Sequence, residues 1–150
     1  MIPSQKCIDL IKKFEGLELK AYKCPASIVT IGWGSTMYMD GTKIKMGDVV
    51  TDIEATKLLY WEVSNKAKAI GLININQNKF DALVSFAFNL GIGALRDSTL
   101  FKKVRMNSDD LTIRDEFMRW TKARVNGKLT ELPGLVKRRK AEADLYFSKI

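Results

Sequence analysis

A chain of 150 residues with a net charge of +8, 46% apolar and 28% charged residues has the make-up of an ordinary soluble domain able to bury a core unaided. It contains no histidine and only two cysteines, Cys7 and Cys24, which excludes Ser–His–Asp catalysis, Cys–His proteolysis, histidine-ligated metals, a cysteine zinc site and a disulfide framework. No run approaches the roughly 18 apolar residues of a membrane span, and the opening MIPSQKCIDLIKKFEG lacks the apolar segment of a signal peptide.

Residues 4–14 read as a helix, with Ser4 as its cap and Ile8, Ile11 and Phe14 at helical spacing. Gly16 ends it and leaves Glu15 at its C-terminal edge. From Leu19 to Met46, β-branched and aromatic residues alternate with glycines, and Asp40-Gly41 offers a hairpin turn between TMYM and TKIKM. A small antiparallel sheet is expected there. TDIE at 51–54 is a capping box that opens a helix to about residue 69. Asn76 caps an apolar helix ending near Gly91. Ser98 is expected to cap a helix to about 106, Ser108 another to about 120, and Pro133 to open a last one to about 147. The order predicts an α+β fold, with the sheet confined to the first third.

Charge is unevenly placed. Residues 101–150 hold 13 Lys/Arg against 7 Asp/Glu, whereas 51–100 are balanced at 5 and 5. A basic last third suits a polyanionic partner, or simply a solvated face. With no histidine, acid–base chemistry falls to carboxylates, a thiol, Lys or Tyr. Glu15 stands beside Phe14, and an apolar neighbour favours the protonated carboxyl that a general acid requires. Thr30 lies in IVTIGWG, where alternation puts Ile28, Thr30 and Gly32 on one strand face, and the glycines let a ligand approach the backbone. Taken singly, each reads equally as a solvated helix end and a turn-rich edge strand.

In combination, FEG, AY and TIGWG with a following threonine resemble the phage-type (T4-like) lysozymes, the endolysin/muramidase family. SFAFNLGIGALRDSTLFKKV resembles that family's central helix and following turn, and FMRWTKARVNGKLTELPGLVKRRKAEADLYF its C-terminal segment. The family pattern Glu-x8-Asp-x5-Thr stands here as Glu15-x8-Cys24-x5-Thr30, and Ser35 replaces the usual histidine of the glycine turn. The resemblance implies a lysozyme-like α+β fold: one domain, with a sheet-bearing N-terminal lobe over about 14–52, a linking helix over about 52–69, and a mostly helical C-terminal lobe over about 70–150 packed with helix 4–14. It implies hydrolysis of the β-1,4 bond between N-acetylmuramic acid and N-acetylglucosamine in peptidoglycan. The catalytic residues would be Glu15, Cys24 and Thr30, with Gly32, Asn89, Thr99 and Arg138 binding substrate. No metal, no cofactor, no specific nucleic-acid partner and no membrane span are expected. The protein is expected to be a monomer, held in the host bacterial cytoplasm until released to the cell wall.

A thiol can take the second seat. Free cysteine has a pKa of about 8.5, so a few per cent is thiolate at pH 7, and the thiolate serves as base or nucleophile. The other reading of Cys24 is packing, which is also the expectation for Cys7, among Ile8 and Ile11. Of Arg138 and Arg139, one is expected to pair with Glu15 or orient the sugar, with Arg138 preferred. Lys137 and Lys140 read as solvated. Asn89 and Thr99 can equally be helix-end caps. Two competing functions are a non-catalytic peptidoglycan-binding relative and a basic nucleic-acid-binding helical domain, although no zinc-finger or RNP motif is present.

Overall fold

The computed structural model describes all residues from Met1 to Ile150. The elements run α1 (Gln5–Glu15), β1 (Glu18–Lys23), β2 (Val29–Gly32), α2 (Asp52–Ile70), α3 (Gln77–Leu90), α4 (Ile92–Asp97), α5 (Thr99–Met106), α6 (Ile113–Phe117), β3 (Lys122–Val125), β4 (Lys128–Glu131) and α7 (Pro133–Tyr146). The class is α+β, with two separate two-stranded antiparallel sheets, β1–β2 and β3–β4.

The helix ends follow local chemistry. The Ser4 hydroxyl accepts from the Lys6 N–H, the Thr51–Glu54 capping box closes in both directions, and the Asn76 and Ser98 side chains accept from Lys79 and Phe101 N–H groups. Ser4 has a second role: its N–H donates to Asp81 Oδ1 at 3.0 Å and its hydroxyl to the other oxygen. Asp81 lies fully buried on α3, so α1 is pinned to the central helix at its first turn. From Asn78 to Ala87 every residue of α3 is buried, as expected of a helix enclosed on all sides.

The apolar interior is divided unequally. One cluster of 21 buried residues gathers Cys7, Ile8 and Ile11 of α1 with α2, α3 and the later helices, and another of only four joins Ile31, Ile44, Val50 and Ala55 beneath the first sheet. Most of the burial free energy therefore lies on the helical side. Burial pushes the Cys7 thiol far above its usual range, so it packs as an inert apolar group.

Three local expectations are corrected. The Asp40-Gly41 turn forms, with Tyr38 N–H donating to Thr42 O at 2.8 Å, but the flanking segments make one bridge, Met37–Lys43, instead of strands. Met37, Met39, Lys43 and Lys45 are exposed and only Ile44 turns inward, so no apolar face holds a longer ladder. Ser108 does not cap a helix. Its carbonyl accepts from Lys79 Nζ and from the Tyr146 hydroxyl, both at 2.8 Å, and Asp110 binds Thr112 in a turn that delays α6 to Ile113. The sheet is not confined to the first third. Asn126 and Gly127, both at positive φ, close the hairpin β3–β4, whose end delivers Leu132 and Pro133 to the start of α7. Helix α4, directly after Gly91, has no cap signal in the sequence.

Replacing Asp81 with alanine strands the Ser4 donors and unpins α1. The expected cost is about 1–3 kcal/mol, read as a lower denaturant midpoint with an unchanged m-value.

Candidate active site

Glu15 is the last residue of α1, and the chain leaves it through Gly16 at φ +68°. Its side chain is 22% exposed, and Oε1 accepts from Arg138 Nη1 at 2.7 Å. The other oxygen, Oε2, faces Gly34. A Cβ at Gly34, whose φ is +91°, would lie 2.8 Å from that oxygen, so only glycine lets the turn after β2 approach the carboxyl so closely.

Arg138 is buried and held from several sides. Nε lies 3.5 Å from Glu142 Oε2, Nη2 donates to the Ser85 carbonyl at 3.4 Å, and the guanidinium sits 5.8 Å from the Phe14 ring centre. Glu142, fully buried, accepts from the Ser85 hydroxyl at 2.5 Å and pairs with Arg139 at 3.0 Å. Arg139 donates in turn to Asn89 Oδ1 at 2.5 Å. Burial pushes the Glu142 carboxyl up, against the pull of both arginines, and pushes Arg139 down to about 10. Two cations and two carboxyl groups thus form one line from Glu15 through Arg138 and Glu142 to Arg139.

Glu15 stands between two adjoining cavities. One, of about 460 Å³, is walled by Thr36, Trp61, Glu62, Asn65, Lys66 and Phe88; the other, of about 500 Å³, by Phe14, Leu132, Pro133, Gly134 and Leu135. Asn89 lines both. On the first wall, burial pushes the Glu62 carboxyl up to about 7, with the nearby Glu15 charge adding to the rise while Ser35 and Lys66 oppose it.

Cys24 and Thr30 are brought together by the β1–β2 hairpin. Cys24 N–H donates to Ile28 O at 3.0 Å, Ser27 N–H to Cys24 O at 2.8 Å, and Thr30 pairs with Tyr22 across the ladder. The five residues between them are Pro25, Ala26, Ser27 and Ile28 of the hairpin loop and Val29 of β2. Cys24 is half-buried. Its thiol is held below its usual range, chiefly by hydrogen bonding to the Ile28 backbone, against some desolvation, with help from Ala26 and the Thr30 hydroxyl. Thr30 is buried and donates to Ile28 O at 3.0 Å. The Tyr22 hydroxyl is pushed up by burial first and then by the charges of Glu15, Glu18 and Cys24.

The remaining sequence-predicted residues divide. Arg138, not Arg139, reaches Glu15, while Arg139 orients Asn89. Gly32 lines neither cavity. A Cβ there would sit 3.1 Å from Ala55 Cβ, so its missing side chain admits α2, and Gly34 is the glycine that faces the acid. Thr99 is exposed on a separate cavity with Asp97, Glu116 and Trp120, and Ser98 takes the cap of α5. Sequence reasoning missed Glu142, Ser85 and the α2 wall. Trp61 with Asn65, and Glu62 with Lys66, stand four residues apart on one helix face, a polar-aromatic stripe that was the available signal. No three Cys, Asp or Glu side chains converge as a metal-binding group.

A family model described as Phage lysozyme matches residues 12–142. The chain belongs to the phage lysozyme family. It is 42% identical to an endolysin of Acyrthosiphon pisum secondary endosymbiont phage 1, over 97% of each chain. It is 37% identical to an endolysin of Bacillus phage B103, matching 97% of this chain and 54% of that one, so it spans about half of that relative's length. Among solved structures, the endolysin from Escherichia coli O157:H7 phage FAHEc1 superposes with a TM-score of 0.91 at 38% identity, covering 100% of this chain and 96% of that one. Ser35, beside Gly34, is fully buried.

Two outcomes follow from this geometry. Gly34→Ala should push the Glu15 carboxyl out of place and slow peptidoglycan clearing by this phage lysozyme about 100-fold while the protein still melts cooperatively; unchanged clearing would show that the close approach is unimportant. Folding raises the Glu62 pKa above its ordinary 4.5 to about 7, so Glu62 leaves stability unaffected below 4.5, lowers it progressively between 4.5 and 7, and lowers it fully above 7. Glu62→Gln should therefore match wild type at pH 4 and be more stable by about 1–3 kcal/mol at pH 8 in denaturant unfolding.

Proposed function

We propose that this phage lysozyme, a peptidoglycan-hydrolysing endolysin, cleaves the β-1,4 bond between N-acetylmuramic acid and N-acetylglucosamine, with Glu15 as proton donor and Cys24 and Thr30 as the opposing pair. The observation that carries the reading is the Glu15 carboxyl itself: one oxygen bound by Arg138, the other free toward Gly34, at the junction of two cavities. A sugar on each side would present the bridging oxygen to that free edge.

Glu15 gives its proton to the leaving oxygen as the glycosidic bond breaks, and positive charge develops on the oxocarbenium-like sugar. The new carboxylate is received by Arg138, already 2.7 Å away, so no group need reorganise to stabilise it. On the other side the Cys24 thiolate either takes a proton from the attacking water or attacks the sugar carbon directly, in which case water later releases the sugar. Thr30 supports the thiolate and holds water or sugar. Hydrogen bonds from the hairpin favour the thiolate, the charged form this role needs.

A carboxyl held by the Arg138 ion network with one edge open to two cavities favours a catalytic role over that of a non-catalytic peptidoglycan binder. A nucleic-acid-binding domain is disfavoured by the same network, since Arg138 and Arg139 of the basic last third are buried and paired internally. We assign the reaction to side chains without metal or cofactor, the protein to a monomer, and its waiting place to the host cytoplasm until release to the wall. No helix is long and apolar enough to cross a membrane.

The test is cleavage of purified peptidoglycan by variants shown to be folded. Glu15→Gln should lose about 10²–10⁴-fold, and near-normal cleavage by it would overturn the assignment. Cys24→Ala and Cys24→Ser should both lose heavily, whereas Cys24→Asp should keep or restore activity. The wild-type rate should climb with pH below the ordinary thiol range, and that climb should vanish in Cys24→Asp. Full activity in Cys24→Ala with an unchanged pH profile would reduce Cys24 to packing.

A further inference from the structure

Glu62 is a second carboxyl group in the cleft, and the reaction described above leaves it without a role. It projects from the middle of α2 into the cavity of about 460 Å³ that Glu15 borders from the other side. One short turn touches both groups. Gly34 lies against Glu15, and the next residue, Ser35, lies toward Glu62. The Ser35 hydroxyl is fully buried and closes no hydrogen bond of normal geometry in the free protein. A buried polar group left in that state is costly and calls for a partner.

We propose that Glu62 is a substrate-positioning residue, which in its protonated form donates a hydrogen bond to the acetamido oxygen of a sugar seated against α2. The proposal rests on the reading of the substrate as an N-acetylated glycan. Trp61 and Phe88 supply apolar walls for a sugar face and an acetyl methyl, and Asn65, Asn89 and Lys66 supply polar edges for hydroxyls. In a neutral N-acetylated sugar the amide oxygen is the strongest acceptor, and a protonated carboxyl is a suitable donor to it. Seating the sugar removes the remaining water from Glu62. An ionised carboxylate would then face a carbonyl oxygen with no proton between them, which costs both the bond and the desolvation of a charge. Ser35 would meet the second Glu62 oxygen and fix the direction of the O–H.

The surroundings define which groups set the pH response. Lys66, one turn along α2, favours ionisation, and Glu15, from α1, opposes it. From α3 the facing residues are Phe88 and Asn89, neither of which titrates. Lys12 of α1 is occupied over the Trp33 ring at 5.0 Å, and Arg96 of α4 is bonded to the Ala69 carbonyl at the far end of α2. With Glu62 titrating near 7, glycan affinity is full in acid and falls as pH rises through neutrality.

The test uses soluble glycan strands of alternating N-acetylglucosamine and N-acetylmuramic acid stripped of stem peptides, at pH 6 and pH 8. KM and kcat are measured for wild type, Glu62→Gln and Glu62→Ala, and the same strands are titrated calorimetrically into each protein. Wild-type KM and dissociation constant should rise about tenfold between the two pH values, as the binding-competent fraction falls. Glu62→Gln, which keeps an N–H donor that cannot ionise, should bind with acid-like affinity at both. Glu62→Ala should bind about tenfold more weakly at pH 6 and show no pH step, with the change falling on KM more than on kcat. A Glu62→Gln protein that repeats the wild-type step, or a Glu62→Ala protein that binds like wild type at pH 6, overturns the proposal. If wild type binds the strands and cleaves none of them, the hydrolytic reading fails, and the calorimetric comparison still decides the role of Glu62.

Discussion

Arg138 carries a charge that water scarcely reaches, so the folded chain must surround it with acceptors. Those acceptors come from two distant segments and from its own helix: Glu15 at the end of α1, the Ser85 carbonyl on α3, and Glu142 one turn further along α7. An uncompensated buried guanidinium would cost several kcal/mol, so the three segments cannot separate without exposing or stranding it. The interaction that orients the acid is therefore also one that holds α1 against α3 and α7. On the proposed mechanism, function and packing meet in a single ion network, and the second arginine is balanced in turn by Glu142 and Asn89.

The two sides of the cleft are supported unequally. Glu15 belongs to helices that share the large core, whereas Cys24 and Thr30 belong to a hairpin resting on a cluster of four buried residues. Few apolar contacts and one-residue bridges mark the sheet side as the first to open locally. What keeps it in register is close approach more than area. Gly32 admits Ala55 of α2, Gly34 admits Glu15, and Tyr38 and the Lys45 backbone N–H both bind Asp48. Each is a short-range steric or polar constraint, and the one at Gly34 touches Glu15 directly.

The basic charge has two separate uses. Part of the surplus in the last third is internal, spent on the network behind Glu15, and is invisible from outside. The rest lies on exposed residues such as Lys122, Arg124, Lys128, Lys137 and Lys140, a surface charge suited to attraction by a polyanionic partner. That attraction is screened beyond about 8 Å at physiological salt. Such attraction favours encounter, whereas the buried pairs lie out of reach of salt.

Local signals in the sequence were sufficient for the helix starts at Ser4, Thr51, Asn76 and Ser98, because a cap is a bond between a side chain and a backbone N–H a few residues away, and for the start at Pro133, whose fixed φ suits a first helical turn. The Asn126-Gly127 turn was equally local, and its hairpin was legible though passed over. The Glu15, Cys24 and Thr30 pattern was legible through its resemblance to the phage-type lysozymes, and one helix end and one hairpin loop set its spacing. Tertiary structure alone decided that Ser108 turns its carbonyl to Lys79 and Tyr146 instead of capping a helix, that Gly34 and not Gly32 meets the acid, that Arg138 and not Arg139 reaches Glu15, and that Glu62 enters the cleft. The physical reason is common to all four. Each depends on which face of one element meets another far along the chain, and burial, which sets the pairing of a charge and the protonation of a carboxyl, exists only once those faces have met.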